Sequence, residues 1–166
     1  MKKYILAAIL AFFALCCCVE CAPCDTLGER LNNPGLLRPN NPAKWPGYVG
    51  VTPNGYIAFE KPIDGIRAIV IVLKKYRDKH KIFTVRKIVL RYTSGENHKL
   101  INYANYIRCV SKRLGVKPDE ALNLWDAKVL CKLVRALIYF ENGRDVYDVK
   151  LYQSIFPKVK IERMAD

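Results

Sequence analysis

The sequence predicts a mainly helical single domain with one small β element, preceded by an N-terminal signal or anchor segment. Three observations support this fold class. Apolar residues recur at helical spacing along most of residues 62–156, a short extended run ends near Glu60, and an apolar run opens the chain. The chain has 166 residues, of which 51% are hydrophobic and 26% are charged, a composition that suits one folded domain with a substantial core.

Residues 1–24 form the predicted signal peptide or short anchor, and residues 25–166 form the predicted domain. Lys2 and Lys3 precede the apolar run Tyr4–Val19, which is short for a membrane-spanning helix. We therefore expect a protein that is exported to the periplasm, the cell envelope or the medium, with contact to a membrane only through this segment.

Seven cysteines are present, and five of them lie in or beside the N-terminal segment. Cys21 and Cys24 form a lone C-x-x-C pair with no second pair or histidine cluster, so we expect no metal and no cofactor. Cys109 and Cys131 lie on two predicted helices. They suit either a disulfide formed after export or two separately packed thiols.

Five helices are predicted after a loop-rich region and a small β element at about residues 47–60. Pro62 opens the first helix at a first-turn position, and Thr84 caps the second. The third runs from about Lys99 to Leu114, Asp126 caps the fourth, and the last covers Asp145–Phe156. No internal repeat interrupts this order, which favours one compact helical unit.

The main catalytic candidate lies in the fourth helix, in the stretch LCKLVRALIYFENGRD. Its apolar stripe continues to Glu141, and Gly143 then provides a left-handed helix end. Partial burial and the negative end of the helix dipole both disfavour a charged carboxylate here, so the group would remain a proton donor near neutral pH. The alternative is a glutamate that turns towards water at a frayed helix end.

A net charge of +13 predicts an anionic partner, which is nucleic acid, an anionic membrane face or an acidic polymer such as cell-wall glycan. The loop-rich stretch LNNPGLLRPNNPAKWPGYVG favours sugar, because aromatic rings stack on pyranose rings and amides bind hydroxyl groups. Asn33, Arg38 and Trp45 are its candidate ligands, although the stretch also suits a plain connector. The export signal argues against nucleic acid.

Several phrases, in order, resemble a family of small phage and prophage proteins. They are NNPGLLR, FEKPIDGIRA, ENHKLINYANYIRCVSKRLGV and ALIYFENG, and the resemblance covers about Leu31–Tyr152. Members are often labelled virion structural proteins and are grouped with lysozyme-like lytic enzymes of phage particles. The resemblance implies a virion-associated or envelope protein with a lysozyme-like fold.

The same phrases resemble those of lytic transglycosylases, but in a different order. FEKPIDGIRA is similar to F-D-P-x-x-N-I-R-A, and RYTSG with YANYIRCV is similar to A-Y-N-A-G and its following helix. LIYFENG is similar to the helix that ends in E-S-G. That helix comes first in the lytic transglycosylases and last in this chain, which implies a circular permutation. In this comparison Glu141 corresponds to the catalytic acid of the lytic transglycosylases. NNPG replaces the Gly-rich turn that those enzymes carry. Tyr92, with Tyr103 or Tyr106, then lines the cleft.

Two departures from that pattern are Asn142 in place of serine and Thr93 in place of asparagine. The resemblance implies a muramidase or lytic transglycosylase that cleaves the glycan of peptidoglycan with Glu141 as its single general acid. Hydrolases usually use two carboxylates, and Glu96, beside the possible substrate ligand Asn97, is the second catalytic candidate.

Glu60 and Asp64 are weaker candidates for the second carboxylate, and Glu60 also suits a loop-ordering or helix-capping role. The alternative function is a non-catalytic virion or envelope protein that binds cell-wall glycan. Its positive charge would hold it on the anionic cell wall whether or not it cleaves the glycan.

Overall fold

The computed structural model describes residues 25–38, 45–94 and 102–161. In these ranges the chain forms a mainly helical single domain with one small antiparallel sheet, as the sequence predicts. The predicted signal or anchor segment and the candidates Glu96 and Asn97 lie outside the described residues. Among the described helices, none is long and apolar enough to cross a membrane. The elements are α1 (Leu27–Arg30), β1 (Tyr48–Val51), β2 (Ile57–Phe59), α2 (Pro62–His80), α3 (Val85–Tyr92), α4 (Tyr103–Leu114), α5 (Ala127–Asn142) and α6 (Val149–Ile155).

Local capping signals begin and end the helices where the sequence predicts them. Pro62 is the first residue of α2, and the Thr84 side chain accepts a hydrogen bond from the third backbone N–H of α3. The Asp126 carboxylate caps α5 in the same way, and Gly143 ends it with a φ of +71°. These four positions confirm the predicted starts of α2, α3 and α5 and the predicted end of α5.

Two predicted helix starts were wrong. The third predicted helix begins at Tyr103, because the Asn102 side chain caps it by accepting from the Asn105 backbone N–H at 3.0 Å. The last begins at Val149, because Asp148 accepts from the Lys150 backbone N–H at 2.9 Å. In both cases a capping side chain closer to the apolar stripe decides the boundary.

The core forms around α5, which packs against α4, α2 and α1. Its predicted apolar stripe is buried and consists of Leu130, Leu133, Val134, Leu137 and Ile138. The sheet covers one side of α2: β1 and β2 pair antiparallel, and β2 contacts the start of that helix. The first loop, Leu31–Leu37, is joined to β2 by backbone hydrogen bonds from Ile57 to Leu37 and from Phe59 to Leu31.

The two cysteines within the described ranges are free thiols. Cys131 is buried, and its burial raises its pKa to about 11. Burial also raises the pKa of Cys109 above its ordinary value. Of the two alternatives that the sequence left open, the structure therefore has the separately packed thiols.

Replacing Tyr152 with phenylalanine is expected to maintain or raise stability at pH 7, by up to about 1 kcal/mol. The ring is 1% exposed and its hydroxyl is buried without a hydrogen-bond partner, so the variant removes an unsatisfied polar atom. Burial also raises the pKa of Tyr152 well above its usual range. The folded state therefore keeps a proton that the unfolded chain releases above pH 10, and stability falls as pH rises further.

Urea denaturation between pH 7 and pH 11 measures this effect, and the Tyr152→Phe curve should decline less steeply on the alkaline side. Tyr48→Phe, at a half-buried ring on β1, is the matched control. A loss of more than 1 kcal/mol at pH 7, or an unchanged alkaline slope, contradicts the expectation.

Candidate functional site

The carboxyl group of Glu141 lies at the last turn of α5 and is held by a tyrosine from α4. Its Oε1 accepts a hydrogen bond of 2.6 Å from the Tyr106 hydroxyl. Tyr106 is only 1% exposed, and its ring stacks on Phe140 with centroids 3.8 Å apart and planes 15° apart. A hydroxyl can donate to a carboxylate or accept from a carboxylic acid, so the pair suits both protonation states of the glutamate. Glu141 is half-buried instead of projecting from a frayed end.

Asn142, the next residue, joins the end of α5 to the first loop. Its Nδ2 donates to the carbonyl oxygen of Pro34 at 2.8 Å and to that of Ile138 at 2.7 Å. Its Oδ1 accepts from the Thr26 hydroxyl at 2.5 Å. The asparagine that departs from the transglycosylase pattern thus holds the first loop beside Glu141, a role that sequence reasoning missed.

Tyr92 holds the next peptide group of the same loop from the end of α3. Its hydroxyl donates to the Gly35 carbonyl oxygen at 2.8 Å. A Cβ atom at Gly35 would lie 2.2 Å from that hydroxyl and 2.8 Å from two Ile69 carbons, so any other residue here would displace the Tyr92 hydroxyl from its bond. The ends of α3 and α5 thus each hold one of two consecutive peptide groups of the first loop.

Asn33 organises this loop from inside. Its side chain is 0% exposed; Nδ2 donates to the carbonyl oxygens of Leu37 and Ile57, each at 2.9 Å, and Oδ1 accepts from the Leu37 N–H. All of its hydrogen-bonding atoms serve the backbone, so the structure places it in the frame of the loop and leaves no exposed atom for a ligand. Tyr103 starts α4 and lies one turn before Tyr106, on the same face of the helix.

A groove with a volume of about 630 Å³ begins where Tyr92 meets the loop. We call it the basic groove. Three predicted sugar ligands, Arg38, Trp45 and Tyr92, line it together. Its other described lining residues are Leu36, Leu37, Gly55, Ile71, Val72, Lys75, Tyr76, His80, Arg91 and Ser94.

Sequence reasoning assigned no site role to Lys75, Tyr76 and His80, which lie in the charged run KKYRDKHK, or to Arg91 in α3. The helical spacing of Tyr76 and His80 was the available signal, and their rings lie edge to face with centroids 6.3 Å apart. Burial raises the pKa of Tyr76 to about 12. Desolvation, and then the nearby Arg91 guanidinium, lower the pKa of His80 below its ordinary value.

The chain is similar to Protein P5 of Pseudoalteromonas phage PM2. The two sequences are 27% identical over 124 residues, which cover 72% of this chain and 73% of that protein. No protein family model matches the chain. The similarity supports a phage-related protein and is consistent with virion association.

The two weaker carboxylate candidates lie at the start of α2. The Glu60 side chain is 65% exposed and pairs with Lys61 at 3.5 Å, and the helix cap is Lys61, which makes no side-chain capping bond. Asp64 pairs with Arg67 at 3.6 Å and packs against Gly47. Within the described ranges, no group of three or more His, Cys, Asp or Glu side chains is placed to hold a metal ion.

Proposed function

We propose that this protein cleaves the glycan strand of peptidoglycan, with Glu141 as its general acid. One observation carries the proposal: a half-buried carboxyl group at a helix end is held by a buried phenol, next to an asparagine that holds the first loop. A general acid must be fixed in position within hydrogen-bonding reach of the leaving oxygen. The resemblance to lysozyme-like lytic enzymes of phage particles implies the same reaction class, and the similarity to a phage protein agrees with a phage-related chain.

In the proposed reaction, Glu141 donates its proton to the glycosidic oxygen between N-acetylmuramic acid and N-acetylglucosamine. The bond from the muramyl anomeric carbon to that oxygen breaks, and positive charge develops on the sugar ring. The Glu141 carboxylate then removes a proton from a muramyl hydroxyl or from water, and that oxygen bonds to the anomeric carbon. The first route makes an anhydro sugar and the second a reducing end, and both return the proton to Glu141.

Three neighbouring residues position the proposed general acid or the first loop. Tyr106 is a positioning residue, because its hydrogen bond sets the direction of the carboxyl group. Asn142 and Tyr92 hold consecutive peptide groups of the loop, which then forms one wall of the sugar site. The predicted N-terminal segment would deliver the domain to the cell envelope, and the excess positive charge would hold it on the anionic wall.

The Tyr106→Phe variant is expected to lower kcat by about 10- to 100-fold and to leave KM within about twofold. The ring and its stacking on Phe140 remain, but the carboxyl group loses the bond that orients it, and small misplacements of a catalytic group are costly. Steady-state release of soluble fragments gives kcat, and its pH profile should also shift. An unchanged rate and profile would show that this hydrogen bond has no role in the reaction.

The function is tested by incubating the purified protein with peptidoglycan sacculi and analysing the released fragments by mass spectrometry. Anhydro-muramyl ends identify a transglycosylase, and reducing muramic acid ends identify a muramidase. If the protein sediments with sacculi but releases no fragment, the proposal is wrong. The second candidate, a glycan-binding virion or envelope module, then stands, favoured by the net charge and the cation-lined groove.

A further inference from the structure

The basic groove carries cationic side chains that have no acidic neighbour in the described lining. Arg38, Lys75 and Arg91 contribute positive charge, and the described lining residues include no Asp or Glu. In the described part of the chain, none of the three forms an ion pair. A concave surface lined by one sign of charge focuses the field and attracts the opposite charge.

Arg38 shows this lack of compensation most directly. Its guanidinium lies over the Tyr56 ring at 4.2 Å, and Nη1 donates to the Asn54 carbonyl oxygen at 2.7 Å. Its Nε is buried and has no hydrogen-bond partner. This buried nitrogen is closed to a ligand, so an anion would meet the guanidinium through its other N–H groups, whose charge no carboxylate of the described residues balances.

Arg91 is a second groove cation without an ion pair among the described residues, and it lies on α3. Its Nη2 lies 3.3 Å from Nε2 of His80 and donates to that nitrogen when the imidazole is neutral, so the contact brings no negative charge to the guanidinium. Lys75 is exposed on α2. The groove thus offers cations from Arg38, directly after the first loop, and from α2 and α3, and Trp45 and Tyr76 also line it.

The first loop is held both by a residue of the basic groove and by the neighbour of the proposed general acid. Tyr92 lines the groove and donates to Gly35, while Asn142, beside Glu141, donates to the adjacent Pro34. A polymer bound at Glu141 would have to follow this loop to reach the cations. Peptidoglycan carries peptide substituents with free carboxylates, and a guanidinium matches the planar geometry of a carboxylate.

We propose that the basic groove binds carboxylates of the peptide substituents on the glycan strand, so that the protein discriminates peptide-bearing glycan from uncharged glycan. The proposal rests on the proposed function for its substrate, and a binding measurement tests it separately. It assigns recognition to Arg38, Lys75 and Arg91, and leaves bond cleavage to Glu141.

The experiment compares native sacculi with sacculi whose carboxylates have been converted to neutral amides by carbodiimide and ethanolamine. Binding is measured by co-sedimentation of the full-length Glu141→Gln variant, which should not degrade the polymer. We expect amidation to weaken binding about tenfold, since each exposed charge contact contributes a few-fold. Adding the exposed substitutions Lys75→Gln and Arg91→Gln should reduce the effect of amidation to less than about twofold.

The matched control carries Lys128→Gln and Lys132→Gln, which remove the same charge from exposed positions on α5. It should keep the full tenfold effect of amidation. If it loses the effect as the groove variant does, binding depends on overall charge and the proposal is wrong. The proposal also fails if native and amidated sacculi bind equally, or if single-stranded DNA binds more tightly than sacculi and depends on Lys75 and Arg91.

Cleavage by the unsubstituted protein separates this proposal from the proposed function. If native sacculi bind through the groove cations but release no fragment, carboxylate recognition stands and the lytic function is wrong. If both kinds of sacculi are cleaved with the same KM, the lytic function stands and carboxylate recognition is wrong.

Discussion

Replacing Glu141 with glutamine is expected to reduce fragment release from sacculi about a thousandfold or more, while binding to sacculi persists. Glutamine has the size of glutamate, and its carbonyl oxygen can still accept from the Tyr106 hydroxyl. It has no acidic proton, so the leaving oxygen departs without protonation, and general acid catalysis typically contributes factors of this size. Mass spectrometry of the soluble fraction measures the rate.

The control for this variant is Glu120→Gln, which removes an exposed carboxylate between α4 and α5. It should release fragments at the rate of the unsubstituted protein. Circular dichroism and thermal melting should show that both variants remain folded. Full cleavage by the Glu141 variant would remove this residue from the reaction and leave a basic helical domain without an assigned acid.

The Gly65→Ala variant is expected to lose about 3 kcal/mol of unfolding free energy. A Cβ atom at this position in α2 would lie 2.0 Å from the carbonyl oxygen of Asn32 and 2.8 Å from Cδ of Pro34. Both atoms belong to the first loop, and a backbone carbonyl cannot turn aside as a flexible side chain can. The helix and the loop must therefore separate, which is the overpacking that destabilises well-filled cores.

Urea denaturation measures this loss, with Gly50→Ala as the matched control. Gly50 lies in β1, and no heavy atom lies within 4 Å of its added Cβ, so its change should stay within about 0.5 kcal/mol. The rate per folded molecule should also fall in Gly65→Ala, because the loop that it displaces is the one held by Asn142 and Tyr92. Equal stability of the two variants would contradict the packing described for the loop.

The sequence by itself determined most helix boundaries and the place of Glu141 near the end of α5. Their signals are local: Pro62, Thr84, Asp126 and Gly143 act within about one turn of a helix end. Apolar spacing then identifies the buried face of α5, and Glu141 follows from the end of that stripe. The resemblance to permuted lytic enzymes predicted Tyr92 and Glu141 in one cleft; in the structure Tyr92 and Asn142, the residue after Glu141, both bond to the first loop.

Only the tertiary structure decided the roles of the asparagines and the existence of the basic groove. Asn142 reaches Pro34 across 108 positions of the chain, and Tyr92 reaches Gly35 across 57. The groove combines Arg38 with cations from α2 and α3, which looked like ordinary solvated charge in the sequence. Capping and periodicity depend on neighbours a few residues away, whereas these contacts depend on how helices pack, and a single sequence carries no comparable local signal for that.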